Sequence, residues 1–225
     1  MTAHDDPGVA QETPDVAEMF TEGFWNERYG TRHSLWSGNP NRNLVSEVSG
    51  LPAGEALDVG CGEGADSIWL AERDWRVTGV DISTVALGRA AGHAAQARPE
   101  IAGRITWEQV DIFSWDPGAD RYDLVSVHYL HPPSAQRAPL VRRLAASVRP
   151  GGTLLIAGHH PSDLQTTIPR PALPDLFFTG DDIAALLDPG DWDIVTNKAS
   201  GREATDPEGR VVTIHDAVIR ARRHG

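Results

Sequence analysis

Three glycines, Gly60, Gly62 and Gly64, alternate in ALDVGCGEGADS, residues 56–67, directly behind a short apolar run. Without a Cβ, such residues let the backbone take positive φ and come close to a ligand. A second apolar run, VTGVDIS, ends on Asp81 and Ile82. In an open parallel sheet, ligands sit at the carboxyl ends of the strands, and an acid closing the second strand can accept hydrogen bonds from both hydroxyls of a ribose. Together the glycine turn and Asp81 predict a site for an adenosine-containing cofactor. A second group is histidine-rich: His128 and His131 at and after the end of YDLVSVHYL, and His159 and His160 after GTLLIAG. Imidazole is the side chain that exchanges protons near neutral pH. His128 and His131 are the preferred general-base candidates. VHYLHPP also reads as a metal pair, but no third ligand lies at a suitable spacing, so no metal is expected.

These residues need a frame. Apolar, β-branched runs EALDVG, RVTGVDI, ITWEQVDI, YDLVSVHYL and GTLLIAG alternate with helical stretches near 65–73, 84–97 and 134–148. Such alternation predicts an α/β fold, a Rossmann-like, mostly parallel sheet with helices on both faces. DWDIVTNK and TIHDAVIRARR follow with no room for a helix between them, so they are expected to pair antiparallel. Residues 1–14 are polar with two prolines and read as a disordered tail. One domain is expected over 15–225, with an N-terminal helical cap at 15–50: a helix from Asp15 to Tyr29, then a shorter one starting near Leu44 and ending at Gly50. The proline-rich segment 161–182 is long enough to serve binding, and Thr179 with Asp182 predicts a capping box for a helix over DDIAALL.

Composition narrows the chemistry. The 225 residues carry 20 basic and 32 acidic side chains, a net charge of −12. That sign opposes binding to a long nucleic acid, so no nucleic-acid partner is expected. No apolar stretch approaches the roughly 18 residues of a membrane span, so no membrane association is expected either. The first 27 residues hold seven acids and no Lys or Arg, unlike a secretory leader, and the cytoplasm is the expected compartment. One cysteine, Cys61, allows no internal disulfide. One lysine, Lys198, leaves no phosphate-loop Lys and no Tyr-x-x-x-Lys pair. Nothing in the sequence fixes an oligomeric state.

Two kinds of cofactor compete for the turn. Gly60-x-Gly62-x-x-Ala65 satisfies the dinucleotide fingerprint when Ala takes its last place, which keeps a nicotinamide-dependent oxidoreductase as an alternative. Asp58 and Glu63 flank the glycines, however, and acids beside a helix N-terminus disfavour an anionic pyrophosphate. They suit a cationic ligand such as S-adenosylmethionine.

Here the chain resembles the class I S-adenosylmethionine-dependent methyltransferases over about residues 20–222. The resemblance rests on LDVGCGEG, VTGVDIS, QVDIFSWD, YDLVSVHYL and VRPGGTLLIAG, five motifs in order at normal spacing. It implies seven strands with an antiparallel last one. It also implies Asp58, Gly60, Gly62 and Gly64 beside the methionine part, Asp81 with Ile82 at the ribose, and Asp111 with Ile112 at the adenine. FWNERYGTRHSLWSGNPN resembles the N-terminal segment of small-molecule enzymes of the tellurite-resistance and thiopurine type. In those the segment folds over cofactor and substrate, which implies Trp25, Tyr29 and Trp36 at the pocket.

Methyl transfer to a phenol-like hydroxyl of pKa about 10 by way of prior proton loss to a His near 6.5 costs ~5 kcal/mol, against ~3 kcal/mol for a thiol. A positioned histidine therefore favours a small-molecule acceptor with an aromatic or heterocyclic hydroxyl. A thiol or other chalcogen acceptor is the alternative on the same scaffold. A non-catalytic sensor of an adenosine ligand is a third reading.

Overall fold

A computed structural model describes residues 16–31 and 38–225. The expected tail at 1–14, the helix start at Asp15 and the pocket residue Trp36 lie outside the described residues.

The N-terminal helix is shorter than expected. A 3-10 turn at Glu18–Phe20 precedes α1 (Glu22–Gly30), and the break falls at Thr21, whose extended backbone and side chain cap α1 by accepting the Phe24 N–H. Next, α2 (Arg42–Val48) starts two residues before Leu44 because Asn41 caps it through the Asn43 N–H. The regular part follows: β1 (Glu55–Val59), α3 (Ala65–Ala71), β2 (Arg76–Asp81), α4 (Thr84–Ala97), α5 (Pro99–Ala102), β3 (Ile105–Gln109), β4 (Tyr122–His128), α6 (Ser134–Ser147) and β5 (Val148–His159). The capping box is present on α7 (Gly180–Ala184), which ends earlier than expected in tighter i to i−3 bonds at Leu186 and Leu187. The chain closes with β6 (Trp192–Thr205) and β7 (Val211–Arg223).

The seven strands order as β3-β2-β1-β4-β5-β7-β6, with β7 antiparallel to both neighbours and the other pairings parallel. Sheet order reverses between β1 and β4, the position at which open α/β sheets form their ligand crevice. Side chains alternate along each strand. Leu57, Val59, Val125 and Val127 pack with Leu140, Val141 and Leu144 of α6 on one face. Ala56 and Leu124 pack on the other with Trp69 and Leu70 of α3 and with Leu44 and Val48 of α2. Asp58 and His128 have the parity of Ala56 and Leu124, so both are delivered to the α3 side at the carboxyl edge.

Candidate functional site

The three glycines do different work. Gly60 is exposed, with φ +72°, and a Cβ added there would meet nothing within 4 Å. Its N–H and that of Cys61 both donate to the Val80 carbonyl, at 2.8 and 3.0 Å, which pins the turn to the end of β2. The Gly62 N–H donates to Asp81 Oδ2 at 2.9 Å. Gly64, at φ +86°, caps α3, and a Cβ there would lie 2.7 Å from the Trp107 ring and 2.8 Å from Ala90 Cβ. Gly64→Ala combines left-handed strain with overpacking, so it is expected to cost about 3 kcal/mol of stability. Urea denaturation against wild type measures that loss.

Asp81 is 9% exposed and also accepts the Ser83 N–H at 2.9 Å through Oδ1. Each carboxylate oxygen has a second lone pair, so two acceptor sites remain for a ligand. Burial raises its pKa, and the backbone N–H groups of Ser83, Gly62 and Ile82 oppose the shift. Ile82 is half-buried and its carbonyl accepts Gln109 Nε2. Asp111 is exposed in the turn after β3, where Oδ1 accepts the Phe113 N–H. Ile112 is buried in the core, and Arg143 donates to its carbonyl.

Asp58 does not lie open at the turn. It is 2% exposed and accepts the Ser67 hydroxyl at 2.6 Å. Burial and the neighbouring Asp66 carboxylate push its pKa up to about 7, against the Ser67 bond and His128. Glu63 also differs from expectation: its carboxylate pairs with Arg89 at 2.9 Å, and Arg89 donates in turn to the Tyr29 carbonyl at 2.7 Å. Its charge is therefore matched within the fold, and the acidic character of the crevice rests on Asp58, Asp66 and Asp81.

The sequence reading passed over Asp66, which sits in the first turn of α3. Asp66 Oδ2 lies 3.2 Å from His128 Nδ1, and Oδ1 accepts the Asn41 N–H at 2.5 Å. His128 has a 6% exposed side chain, yet among the described residues neither ring nitrogen completes a hydrogen bond; the Ser126 hydroxyl, level with Asp58 in the sheet, is also unsatisfied there. Buried polar atoms are nearly always paired, so these orphans mark a place shaped for a polar ligand. The open space at Gly60, the spare lone pairs of Asp81 and this acidic patch together fit a ligand with a ribose and a cationic end.

His131 departs from the role expected of it. Its Nε2 accepts the His159 N–H at 2.8 Å, and the ring stacks on His159 with centroids 4.7 Å apart. Burial, His159 and Arg170 lower its pKa to about 3. The Nε2 lone pair and the ring face are thus engaged with the β5 edge. His160 caps the following 3-10 turn by accepting the Ser162 N–H. Trp25 donates from Nε1 to the Met19 carbonyl and packs against Tyr29, which is 3% exposed. Tyr29 is thus buried within the described part of the cap. The cap is held over the site by Asn26, whose Oδ1 accepts the Ser83 hydroxyl at 2.7 Å.

A family profile described as a methyltransferase domain matches residues 56–152, the stretch that runs from the glycine turn to the start of β5. Over this stretch the chain carries a methyltransferase domain. The ribosomal RNA small subunit methyltransferase C of Alcanivorax borkumensis is 35% identical over 111 residues, which are 47% of this chain and 32% of that protein. The ubiquinone biosynthesis O-methyltransferase of Coxiella burnetii is 32% identical over 139 residues, 60% of this chain and 56% of that one. The chain therefore spans about a third to just over half of these relatives. Among solved structures, TehB from Haemophilus influenzae superposes with a TM-score of 0.66 at 17% identity, over 91% of this chain and 67% of that one, a likeness of fold. Among the described residues, no helix of the methyltransferase domain is long and apolar enough to cross a membrane, and no group of three or more His, Cys, Asp or Glu could hold a metal ion.

Proposed function

We propose that the methyltransferase domain moves a methyl group from S-adenosylmethionine to a heteroatom of a cytoplasmic small molecule, with His128 as general base. The observation that carries this reading is the buried imidazole of His128, whose Nδ1 lies 3.2 Å from Asp66 and whose Nε2 has no hydrogen-bond partner among the described residues, on the same face of the sheet as Asp58. S-adenosylmethionine, when bound, supplies an electrophilic methyl group on a sulfonium. Asp81 holds the ribose hydroxyls, Asp111 and Ile112 border the adenine, and the buried Asp58 and half-buried Asp66 carboxylates favour the cationic methionine end.

Transfer needs an unprotonated nucleophile in line with the methyl group and water kept out. Asp66 at Nδ1 orients the His128 ring and stabilises the imidazolium, so that Nε2 can take the acceptor's proton as attack proceeds. A hydroxyl needs that help more than a thiol does, which supports an aromatic or heterocyclic hydroxyl as the acceptor. The acidic crevice likewise supports a cationic cofactor over the dinucleotide of the oxidoreductase alternative.

Calorimetric titration with S-adenosylmethionine, S-adenosylhomocysteine and NAD, followed by a labelled-methyl screen over phenols, hydroxyquinolines and thiols, tests the reading. Micromolar binding of the first two and methylation of a hydroxyl acceptor are expected. Binding of NAD alone would move the domain to hydride transfer. Methylation of thiols alone would establish the chalcogen alternative, and cofactor binding with no methylation of any acceptor would point to the sensor.

A further inference from the structure

Beyond the carboxyl edge of the sheet the last two strands continue as a ribbon. Pairing of β5 with β7 ends at His159 and Asp216, whereas β6 and β7 stay paired out to Thr205 and Val211. The segment after β5 braces this ribbon. His160 donates its N–H to the His215 carbonyl at 3.0 Å, the His215 N–H donates to Asp163 Oδ1 at 2.8 Å, and the Thr167 hydroxyl donates to Asp206 at 2.6 Å.

Two ion pairs lie in the angle so formed, and both are layered the same way. Arg170 meets Asp163 at 3.0 Å and Arg202 meets Asp216 at 3.3 Å. Both carboxylates are completely buried, whereas the arginine side chains keep 15% and 28% of their surface. Negative charge is therefore underneath and positive charge in front. Asp216 also accepts Asn43 Nδ2 at 3.2 Å, so it is satisfied without all of Arg202. Arg202 engages it through Nε alone, and its two terminal nitrogens have no hydrogen-bond partner among the described residues. Burial and these two guanidinium groups lower the His159 pKa to about 3, although the Asp163 carboxylate is 4.0 Å from its ring. The guanidinium groups thus form the outer layer of the corner, in front of the carboxylates that balance them.

The corner also has flat walls beside the proposed base. Tyr129, next to His128 in the chain, brings its ring to 5.0 Å from His159, which stacks on His131 and faces Phe177 at 6.3 Å. Planar faces and a forked cation together match a planar acid, because a guanidinium binds a carboxylate through two parallel hydrogen bonds. We infer that Arg202, supported by Arg170, forms an anion subsite of the acceptor pocket that selects small aromatic acceptors bearing a carboxylate. This rests on the methyl-transfer reading above.

The test is binding to the protein saturated with S-adenosylhomocysteine, titrated with 3- and 4-hydroxybenzoate and with the matching hydroxybenzamides, which keep shape but lose charge. The acids are expected to bind at least about tenfold more tightly than the amides. That preference should disappear in Arg202→Gln and persist in part in Arg202→Lys, which keeps the charge over Asp216 and controls for folding, while affinity for S-adenosylhomocysteine stays unchanged in both. Equal binding of acid and amide, no binding of either, or a preference that survives both Arg202→Gln and Arg170→Gln would overturn the subsite. Failure of S-adenosylhomocysteine itself to bind would instead overturn the methyl-transfer reading.

Discussion

Asp81→Ala is expected to weaken binding of S-adenosylmethionine and S-adenosylhomocysteine about a hundredfold. The carboxylate offers one lone pair on each oxygen after Gly62 and Ser83 have taken the others. Two charge-assisted hydrogen bonds to a ribose, at about 1.5 kcal/mol or more apiece, sum to about 3 kcal/mol, or two orders of magnitude. The same substitution also frees the Gly62 and Ser83 amides, so part of the loss comes from a looser turn. Asp81→Asn separates the contributions: its amide oxygen can still accept one backbone bond, but its NH2 faces the other N–H as a second donor. Calorimetry gives the affinity and urea denaturation gives the accompanying change in stability. A shift of less than about threefold in dissociation constant would remove Asp81 from the cofactor site.

Much of this frame is legible in the sequence because it depends on local periodicity. The runs ending at Val59, Asp81 and His128 are strands because their alternation and β-branching say so, and the capping box of Thr179 and Asp182 is a local signal that the structure contains. Contacts that depend on long-range register are not legible in that way. Asp66 and His128 are 62 positions apart and meet only because β1 and β4 are neighbours and α3 crosses their shared face. Glu63 reads as a free acid in sequence, yet Arg89, a turn and a half into α4, matches its charge. His131 and His128 look equivalent in VHYLHPP, and it is the pairing of His131 Nε2 with the His159 amide and of His128 Nδ1 with Asp66 that distinguishes them. The layered pairs of Arg170 and Arg202 likewise depend on how far β6 and β7 outrun β5, a length that their composition does not announce.

His128→Ala should lower kcat for hydroxyl acceptors by about 10²- to 10⁴-fold, the usual contribution of a positioned general base. The cofactor is expected to bind with nearly wild-type affinity, because Asp81 is held by the Gly62 and Ser83 amides and makes no bond to His128. Three readouts distinguish proton transfer from simple packing. Imidazole added to His128→Ala should restore part of the rate for hydroxyl acceptors, since the deleted ring leaves space and Asp66 remains to orient its replacement. Thiol acceptors should lose less, because more of a thiol is ionised before attack at the same pH. Asp66→Asn should give a smaller loss in kcat than His128→Ala, since the ring survives without the carboxylate that fixes its orientation and stabilises its charged form. A uniform fall in all acceptors with no rescue would assign His128 to packing and would leave the acceptor proton to solvent.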